Sequence, residues 1–301
     1  MSLDTPATIA IIGAGSVGIE AALYARFLGY EVQVYERGRI GASLVDDANE
    51  DHNSEDQRRP VGRCCSPLGL RALMAQDPKW SLPDLETLWT PREFVENYLA
   101  PLSRTDLLDG HIAEQTEVID VRRTEAVVED AADDGMTQDD DELEEGEYIE
   151  EAPRLPPLRV TVQRIDSTLQ PPASSLKPQA LLDADIVIDA SGVKTHDASG
   201  GTSSGPDYRF VSALCFERCP QTDRPLPSAA ETKAGPAAAL VLSEPNFYIL
   251  GSKSRGCEGG FEIVDGLRQI RDLFGLIGGR AALDLYQDLR QFKGPLEEDQ
   301  R

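Results

Sequence analysis

Apolar and polar residues alternate along the first part of this chain in a pattern that predicts a strand, a helix and a second strand. The continuous apolar run at 9–12 is typical of a buried strand. Residues 19–28 follow with a helical pattern, and residues 31–35 predict the second strand. A strand, a helix and a strand in this order predict a βαβ unit with parallel strands.

Similar patterns predict further strands and helices around that unit. Thr90, Pro91 and Glu93 have the spacing of a capping box with proline at the first helical position. The predicted elements are a short helix within 62–74, a helix at 91–102, strands at 116–122 and 158–165, buried strands at 184–192 and 246–251, and helices at 261–277 and 280–291. This order predicts an α/β fold with a central parallel sheet flanked by helices and a small antiparallel meander over one face.

Polar segments separate these elements. Residues 42–60 and 194–206 are predicted to be flexible loops. Residues 129–153 are too charged and too poor in apolar residues to fold, which predicts a disordered acidic insertion. Residues 293–301 predict a disordered tail, and we therefore expect one domain over 1–292.

The glycine-rich turn after the first strand is the most specific candidate site. Gly13 permits the tight turn, Gly15 lets the backbone approach a pyrophosphate, and Gly18 lets the helix pack close to the sheet. The start of that helix would direct its free N–H groups at the phosphates. The other candidate residues of this turn are Ala14, Ser16 and Val17. The turn predicts a bound dinucleotide, and a purely structural glycine turn is the alternative.

Glu36 follows the second predicted strand, where a carboxylate can accept hydrogen bonds from ribose hydroxyls. Its charge would repel a 2′-phosphate, and this favours FAD or NAD over NADP. Arg37 comes next and is either a further cofactor contact or a solvated loop charge.

The formal net charge of −24 disfavours nucleic acid and anionic membranes as partners. Thirteen of the acidic residues lie between Glu129 and Glu151, so this segment is a candidate contact for a basic protein partner. The segment before the first predicted strand, residues 1–8, is short and polar, unlike a secretory signal. No apolar run approaches the ~20 residues of a membrane helix. We expect a cytoplasmic protein with reduced thiols.

Three features occur in the order found in flavoproteins with two dinucleotide-binding domains. They are the glycine-rich turn, a strand that ends in Asp189-Ala190-Ser191-Gly192, and a C-terminal strand that is followed by a glycine and a helix. The chain therefore resembles this group, which includes pyridine-nucleotide disulfide reductases and flavin-containing monooxygenases, and it looks closest to the monooxygenase-like members. The resemblance implies a Rossmann-like FAD/NAD(P)-binding domain and a bound FAD.

The resemblance also implies further cofactor contacts. The backbone of Val118 would contact adenine, and Ser191 and Gly192 would pass close to the cofactor. Gly260 and Phe261 would begin a helix whose dipole faces the flavin ring, where reduced flavin carries negative charge.

Two departures from the family pattern bear on function. The last core strand of the family usually ends in Gly-Asp, whereas Gly251 is followed here by Ser252. Residues 193–245 are also too few for the usual NAD(P)H domain. The leading function is an FAD-dependent, monooxygenase-like oxidoreductase. The alternatives are therefore an NAD-binding protein without flavin and a non-catalytic remnant that acts as a scaffold or regulator.

Other candidate chemistry is sparse. One interpretation of Lys253 is a cation that stabilises reduced flavin or binds an anionic substrate. The other is a charge on a surface loop. The adjacent Cys64 and Cys65 are either redox-active or packed in a loop. The sequence identifies no metal site, no catalytic acid or base and no particular small-molecule substrate; NAD(P)H is a possible electron donor.

Overall fold

The computed structural model describes residues 7–50, 58–77, 79–124, 155–165, 179–192, 210, 240–255, 261–280 and 282–286. The strands are β1 (Thr8–Ile12), β2 (Glu31–Tyr35), β3 (Arg59–Pro60), β4 (Leu88–Trp89), β5 (Ile112–Ala113), β6 (Thr116–Arg123), β7 (Leu158–Arg164), β8 (Gln179–Ala184), β9 (Ile186–Asp189) and β10 (Phe247–Ile249). The helices are α1 (Ser16–Phe27), α2 (Ala42–Glu50), α3 (Val61–Cys64), α4 (Pro67–Gln76), α5 (Pro91–Phe94), α6 (Ala100–Leu102) and α7 (Ile263–Ile277). A π-helical stretch, Val95–Leu99, joins α5 to α6, and a 3₁₀ turn covers Ser252–Arg255. The segments predicted at 129–153, 194–206 and 293–301 lie outside the described residues.

Five parallel strands form the central sheet in the order β10-β9-β1-β2-β5. Strand β1 pairs with β2 on one side and with β9 on the other. The strand order therefore reverses at β1, and the carboxyl ends of β1 and β9 border a crevice of the kind in which open α/β sheets bind ligands. The prediction of a central parallel sheet is confirmed.

Strands β6, β7 and β8 form the antiparallel meander. Val121 and Val160 of the meander share an apolar cluster with Ala10 and Phe247 of the central sheet. On the opposite face, α1 and α7 pack against each other over the largest core cluster, which includes Leu23 and Phe274. The predicted meander and the predicted flanking helices are therefore confirmed. None of the described helices has both the length and the apolar character to cross a bilayer.

Helix α2 contradicts the prediction of a loop over 42–60. Leu44 packs against the main core, whereas Asp46 is exposed, so this segment has one apolar and one polar side. The helix has only nine residues and is rich in acidic and amide side chains. Too few apolar residues are present for the helical period to stand out, and the contact of Leu44 with the core stabilises the helix instead.

The predicted helix at 280–291 is wrong in its described part. Residues 280 and 282–286 form turns and irregular structure. The hydroxyl oxygen of Tyr24 accepts the N–H of Leu285 at 3.1 Å, and the ring of Tyr286 lies 5.2 Å from the ring of Tyr24. The described part of the segment therefore contacts α1, and its backbone forms a turn in which the N–H of Leu283 donates to the carbonyl oxygen of Arg280 at 2.9 Å.

A buried polar cluster joins α1 to α4 and the π-helical stretch. The hydroxyl of Tyr98 donates to Oε1 of Glu20 and accepts the N–H of Ser66 at 3.0 Å. A Cβ at Gly69 would lie 1.9 Å from the hydroxyl oxygen of Tyr98, so only glycine leaves room for the phenol. Oε2 of Glu20 is buried and has no hydrogen-bond partner among the described residues. Burial therefore raises the pKa of Glu20 to about 7.

This pKa makes the stability of the protein depend on pH. The folded protein binds the Glu20 proton more tightly than the unfolded chain does. The contribution of this proton to the free energy of unfolding is therefore complete in acid and is lost as the pH rises from about 4.5 to about 7. The loss amounts to about 3 kcal/mol. We predict that Glu20→Gln, which cannot ionise, removes most of this fall in the free energy of unfolding, measured by urea denaturation in mildly acidic and mildly alkaline buffer.

Glu31→Gln is the matched control, because Glu31 is exposed at the start of β2. This variant should keep the wild-type pH dependence. If Glu20→Gln also kept it, Glu20 would not be the group that titrates.

Candidate functional site

The turn between β1 and α1 is packed too closely for side chains at two of its glycines. Gly13 has a φ of +98°, and a Cβ there would lie 2.8 Å from Cα of Ser191 and 2.9 Å from the carbonyl oxygen of Ala190. A Cβ at Gly18 would lie 2.0 Å from the carbonyl oxygen of Gly13. Both glycines are therefore required, because backbone occupies the space that a side chain would need.

Gly15 differs from these glycines because it borders open space. Apart from Gly15 itself and its two chain neighbours, no atom of the described residues lies within 4 Å of the position that its Cβ would take. Gly15 is the N-cap of α1 and has no side chain to cap the helix, and the first turn contains no acidic residue. Ser16 and Val17 begin the helix, so their end of α1 presents backbone N–H groups and the positive end of the helix dipole to the crevice. This combination is suited to binding an anion.

The carboxylate of Glu36 lies against the same turn. Its Oε2 accepts the N–H of Ala14 at 2.7 Å, and its Oε1 accepts the N–H of Gly38 at 2.6 Å. Each oxygen bonds one N–H in these contacts, and the half-buried carboxylate keeps lone pairs for further donors. Arg37 is exposed beside it. The structure thus brings the predicted acidic residue and the glycine turn together.

Val118 approaches from the meander. The carbonyl oxygen of Glu36 accepts the N–H of Thr116 at 2.8 Å, which places the start of β6 beside the predicted ribose-binding carboxylate. The side chain of Val118 is buried in the cluster between the two sheets. Only the backbone of Val118 is therefore available to a ligand.

The ends of β9 and β10 complete the crevice. Gly192 and Gly251 have φ values of +71° and +79°. A Cβ at Gly192 would lie 4.0 Å from Oγ of Ser252, and a Cβ at Gly251 would lie 3.7 Å from the side chain of Val17. These predicted residues, together with Ser191, lie around the glycine turn.

The start of α7 differs from the prediction in its charge. The helix begins at Ile263, and the N–H of Glu262 donates to Oδ2 of Asp265 at 3.1 Å. Two carboxylates therefore offset the positive helix end that was expected to face flavin. Phe261 borders a cavity beside this helix start, while Gly260 lies outside the described residues.

This cavity, which we call the arginine cavity, has a volume of about 480 Å³ and begins at Ser16, next to the glycine turn. Its lining includes Arg58, Arg59, Arg63, Leu44, Cys64, Trp89, Phe94, Phe261 and Glu262. The cavity combines cationic groups with flat apolar surfaces.

The two adjacent cysteines differ in their surroundings. Both are buried and neither forms a disulfide. A hydrogen bond with Cys65 lowers the pKa of the Cys64 thiol, whereas burial raises the pKa of the Cys65 thiol. Cys64, the thiol at the cavity wall, is therefore the more readily ionised of the pair. Among the described residues, no group of three or more His, Cys, Asp or Glu side chains could hold a metal ion.

A fully buried ion pair supports the crevice from behind. Nζ of Lys253 lies 2.5 Å from Oδ2 of Asp189, and both side chains are 0% exposed. Oδ1 of Asp189 accepts the N–H of Ser191 at 3.0 Å and its hydroxyl at 2.6 Å. The surface-loop alternative for Lys253 is therefore wrong, because its ammonium group is directed inward to the end of β9.

Sequence reasoning missed this pair and the arginine cavity, although each leaves a signal. Asp189 continues an apolar run at 186–188, and a charge in a buried run indicates a buried partner. Arg58, Arg59 and Arg63 lie within a short segment of an otherwise acidic chain. No sequence signal indicates that aromatic residues from distant segments would face them.

Comparisons with known proteins agree on the fold. No family model matches the sequence, and no curated protein sequence is similar to it at a significant level. The structure of bacillithiol disulfide reductase Bdr (YpdA) from Bacillus cereus matches with a TM-score of 0.52 and 11% identity, over 91% of this chain and 99% of that one. The chain therefore has the fold of that reductase.

Other matches are partial. OTEMO in complex with FAD and NADP matches with a TM-score of 0.32 and 18% identity, over 63% of this chain and 26% of that chain. S-allyl-L-cysteine S-oxygenase from Allium sativum matches with a TM-score of 0.33 and 19% identity, over 62% and 36% of the two chains. The chain thus spans about a quarter of the length of OTEMO.

The buried ion pair generates a prediction about stability. Lys253→Met alone would leave the Asp189 carboxylate buried without its partner, and we expect a loss of about 3–5 kcal/mol in the free energy of unfolding. The double variant Asp189→Leu/Lys253→Met leaves no unpaired charge and should lose much less. Urea unfolding of the single and double variants measures the difference.

The exposed pair of Arg159 and Asp183 provides the control, since its side chains are 41% and 42% exposed at a separation of 2.7 Å. Arg159→Met should change stability by less than about 1 kcal/mol. A double variant at the buried pair that is no more stable than Lys253→Met would contradict the argument.

Proposed function

We propose that this protein is an FAD-dependent oxidoreductase that transfers hydride through bound flavin, in the manner of the monooxygenase-like flavoproteins. The observation that carries the proposal is the position of the Glu36 carboxylate, which is bonded to Ala14 of the glycine turn while the adjacent Gly15 borders open space. One carboxylate and one open helix start therefore lie side by side, as a ribose joined to a pyrophosphate requires.

The residues fit the dinucleotide part of FAD. The start of α1 at Gly15 and Ser16 would hold the pyrophosphate through backbone N–H groups. Glu36 would accept hydrogen bonds from the ribose hydroxyls of the adenosine. The backbone of Val118 would contact adenine, since β6 begins beside Glu36.

The other half of the crevice suits the second half of a dinucleotide. Ser191, Gly192, Gly251 and Ser252 surround the turn on the side away from Glu36, and two of them have the positive φ that lets backbone approach a ligand closely. Backbone that a ligand can approach therefore continues past the pyrophosphate position, where the second half of a dinucleotide would lie. The order of the three sequence motifs, which resembles that of the flavoproteins, favours FAD over NAD for this position.

Bound FAD would supply two-electron chemistry, accepting a hydride from a donor such as NAD(P)H and delivering electrons to oxygen or another acceptor. The chain itself would bind and orient the cofactor through the glycine turn and Glu36. The fold shared with a disulfide reductase supports oxidoreductase chemistry in general, and the resemblance of the sequence motifs supports the monooxygenase-like form.

The absorption spectrum of freshly purified protein tests the proposal. We predict a yellow protein with an absorbance band near ~450 nm that NADH or NADPH bleaches and oxygen restores. A colourless protein that NAD stabilises against heat would favour the NAD-binding alternative. A colourless protein that responds to neither cofactor but binds polybasic peptides would favour a scaffold or regulator.

Glu36→Gln tests the ribose contact. The amide keeps the size of the side chain but loses its charge, and we predict that the affinity for FAD falls by about 1–3 kcal/mol, measured by titration of the apoprotein. Glu31→Gln, at the opposite end of β2, should bind FAD as the wild type does. Unchanged affinity in a folded Glu36→Gln variant would remove Glu36 from the site.

A further inference from the structure

We propose that the arginine cavity binds a small aromatic carboxylate as the substrate of this protein. The inference rests on the proposed function, because the substrate of a flavin-dependent oxidoreductase must be held next to the cofactor. The cavity borders the start of α1, where the glycine turn is open.

The charge of the cavity opposes that of the whole chain. Among the described residues that line it, the charged ones are three arginines, Arg58, Arg59 and Arg63, and one carboxylate, Glu262. Glu262 lies 4.0 Å from Arg59, and both side chains are more than half exposed, so this ion pair is weak. In a chain of net charge −24, such a cluster of positive charge favours an anionic ligand.

The remaining walls favour a ring over a simple inorganic anion. Trp89, Phe94 and Phe261 contribute aromatic surface, and Leu44 and Ile263 contribute aliphatic surface. The ring of Phe94 is fixed by stacking on Tyr98, with centroids 5.4 Å apart. A planar apolar body fits such walls, and a carboxylate suits guanidinium groups because both can share two parallel hydrogen bonds. An aromatic carboxylate meets both requirements.

The test uses the purified protein with its cofactor and three probes of nearly equal shape: benzoate, benzamide and benzylamine. We expect isothermal titration to show that benzoate binds at least about tenfold more tightly than neutral benzamide, with cationic benzylamine weaker still. The advantage of benzoate over benzamide should shrink as salt is added, because the arginines are exposed to solvent.

Two substitutions assign the effect to the cavity. Arg59→Gln and Arg63→Gln should each reduce the affinity for benzoate by about tenfold while the FAD content and the affinity for benzamide stay unchanged. Arg71→Gln is the matched control, because Arg71 is exposed on α4 and does not line the cavity. Arg59 and Arg63 are both exposed, so we expect their variants to fold, and circular dichroism verifies this.

The outcomes separate the inference from the proposed function. Equal binding of benzoate and benzamide by a yellow protein would overturn the inference and leave the flavin proposal intact. Loss of FAD, rather than of benzoate, in the arginine variants would show that the arginines serve the cofactor and would also overturn it. A protein that never binds FAD would overturn the proposed function, and the substrate role would fall with it.

Discussion

The close packing of backbone against backbone at the end of β1 is the constraint on which the rest of the site depends. Gly18 approaches the carbonyl oxygen of Gly13, and Gly13 approaches the end of β9, so that neither position has room for a Cβ. This packing brings α1 down onto the sheet and directs its first turn into the crevice between β1 and β9. Gly15, which lies between these two glycines in the chain, borders open space instead.

The opposite wall of the crevice depends on electrostatics rather than on close packing. The carboxylate of Asp189 is bonded to Lys253 and to Ser191, so one buried network links the end of β9 to the segment that follows β10. Burying two charges costs desolvation energy, and apolar residues could fill the same volume at lower cost. The pair instead fixes the direction of the Ser191 backbone, which forms the wall against which Gly13 packs.

The proposed function depends on how these walls meet the arginine cavity. Glu36 bonds to Ala14 of the glycine turn, and Ser16 at the end of the same turn lines the cavity, so the proposed cofactor site and the cavity share the start of α1. The sheet supplies rigid positions for the backbone contacts, while the segments around α3, β4 and α5 supply arginine and aromatic side chains. A fold that binds a cofactor on its strands can therefore vary its substrate through these surrounding segments.

The sequence by itself determined the βαβ unit, the strands of the central sheet and the turn with Glu36, because each of these depends on residues that are close in the chain and on periods that a strand or helix imposes. It did not predict α2 or β8, since Asp46 and its neighbours obscure a helical period and the consecutive exposed residues Leu181 and Leu182 obscure an alternating one. Only the tertiary structure decided that Lys253 meets Asp189 and that Trp89 and Phe261 face the same arginines. Such contacts join residues far apart in sequence, and no local periodicity encodes them.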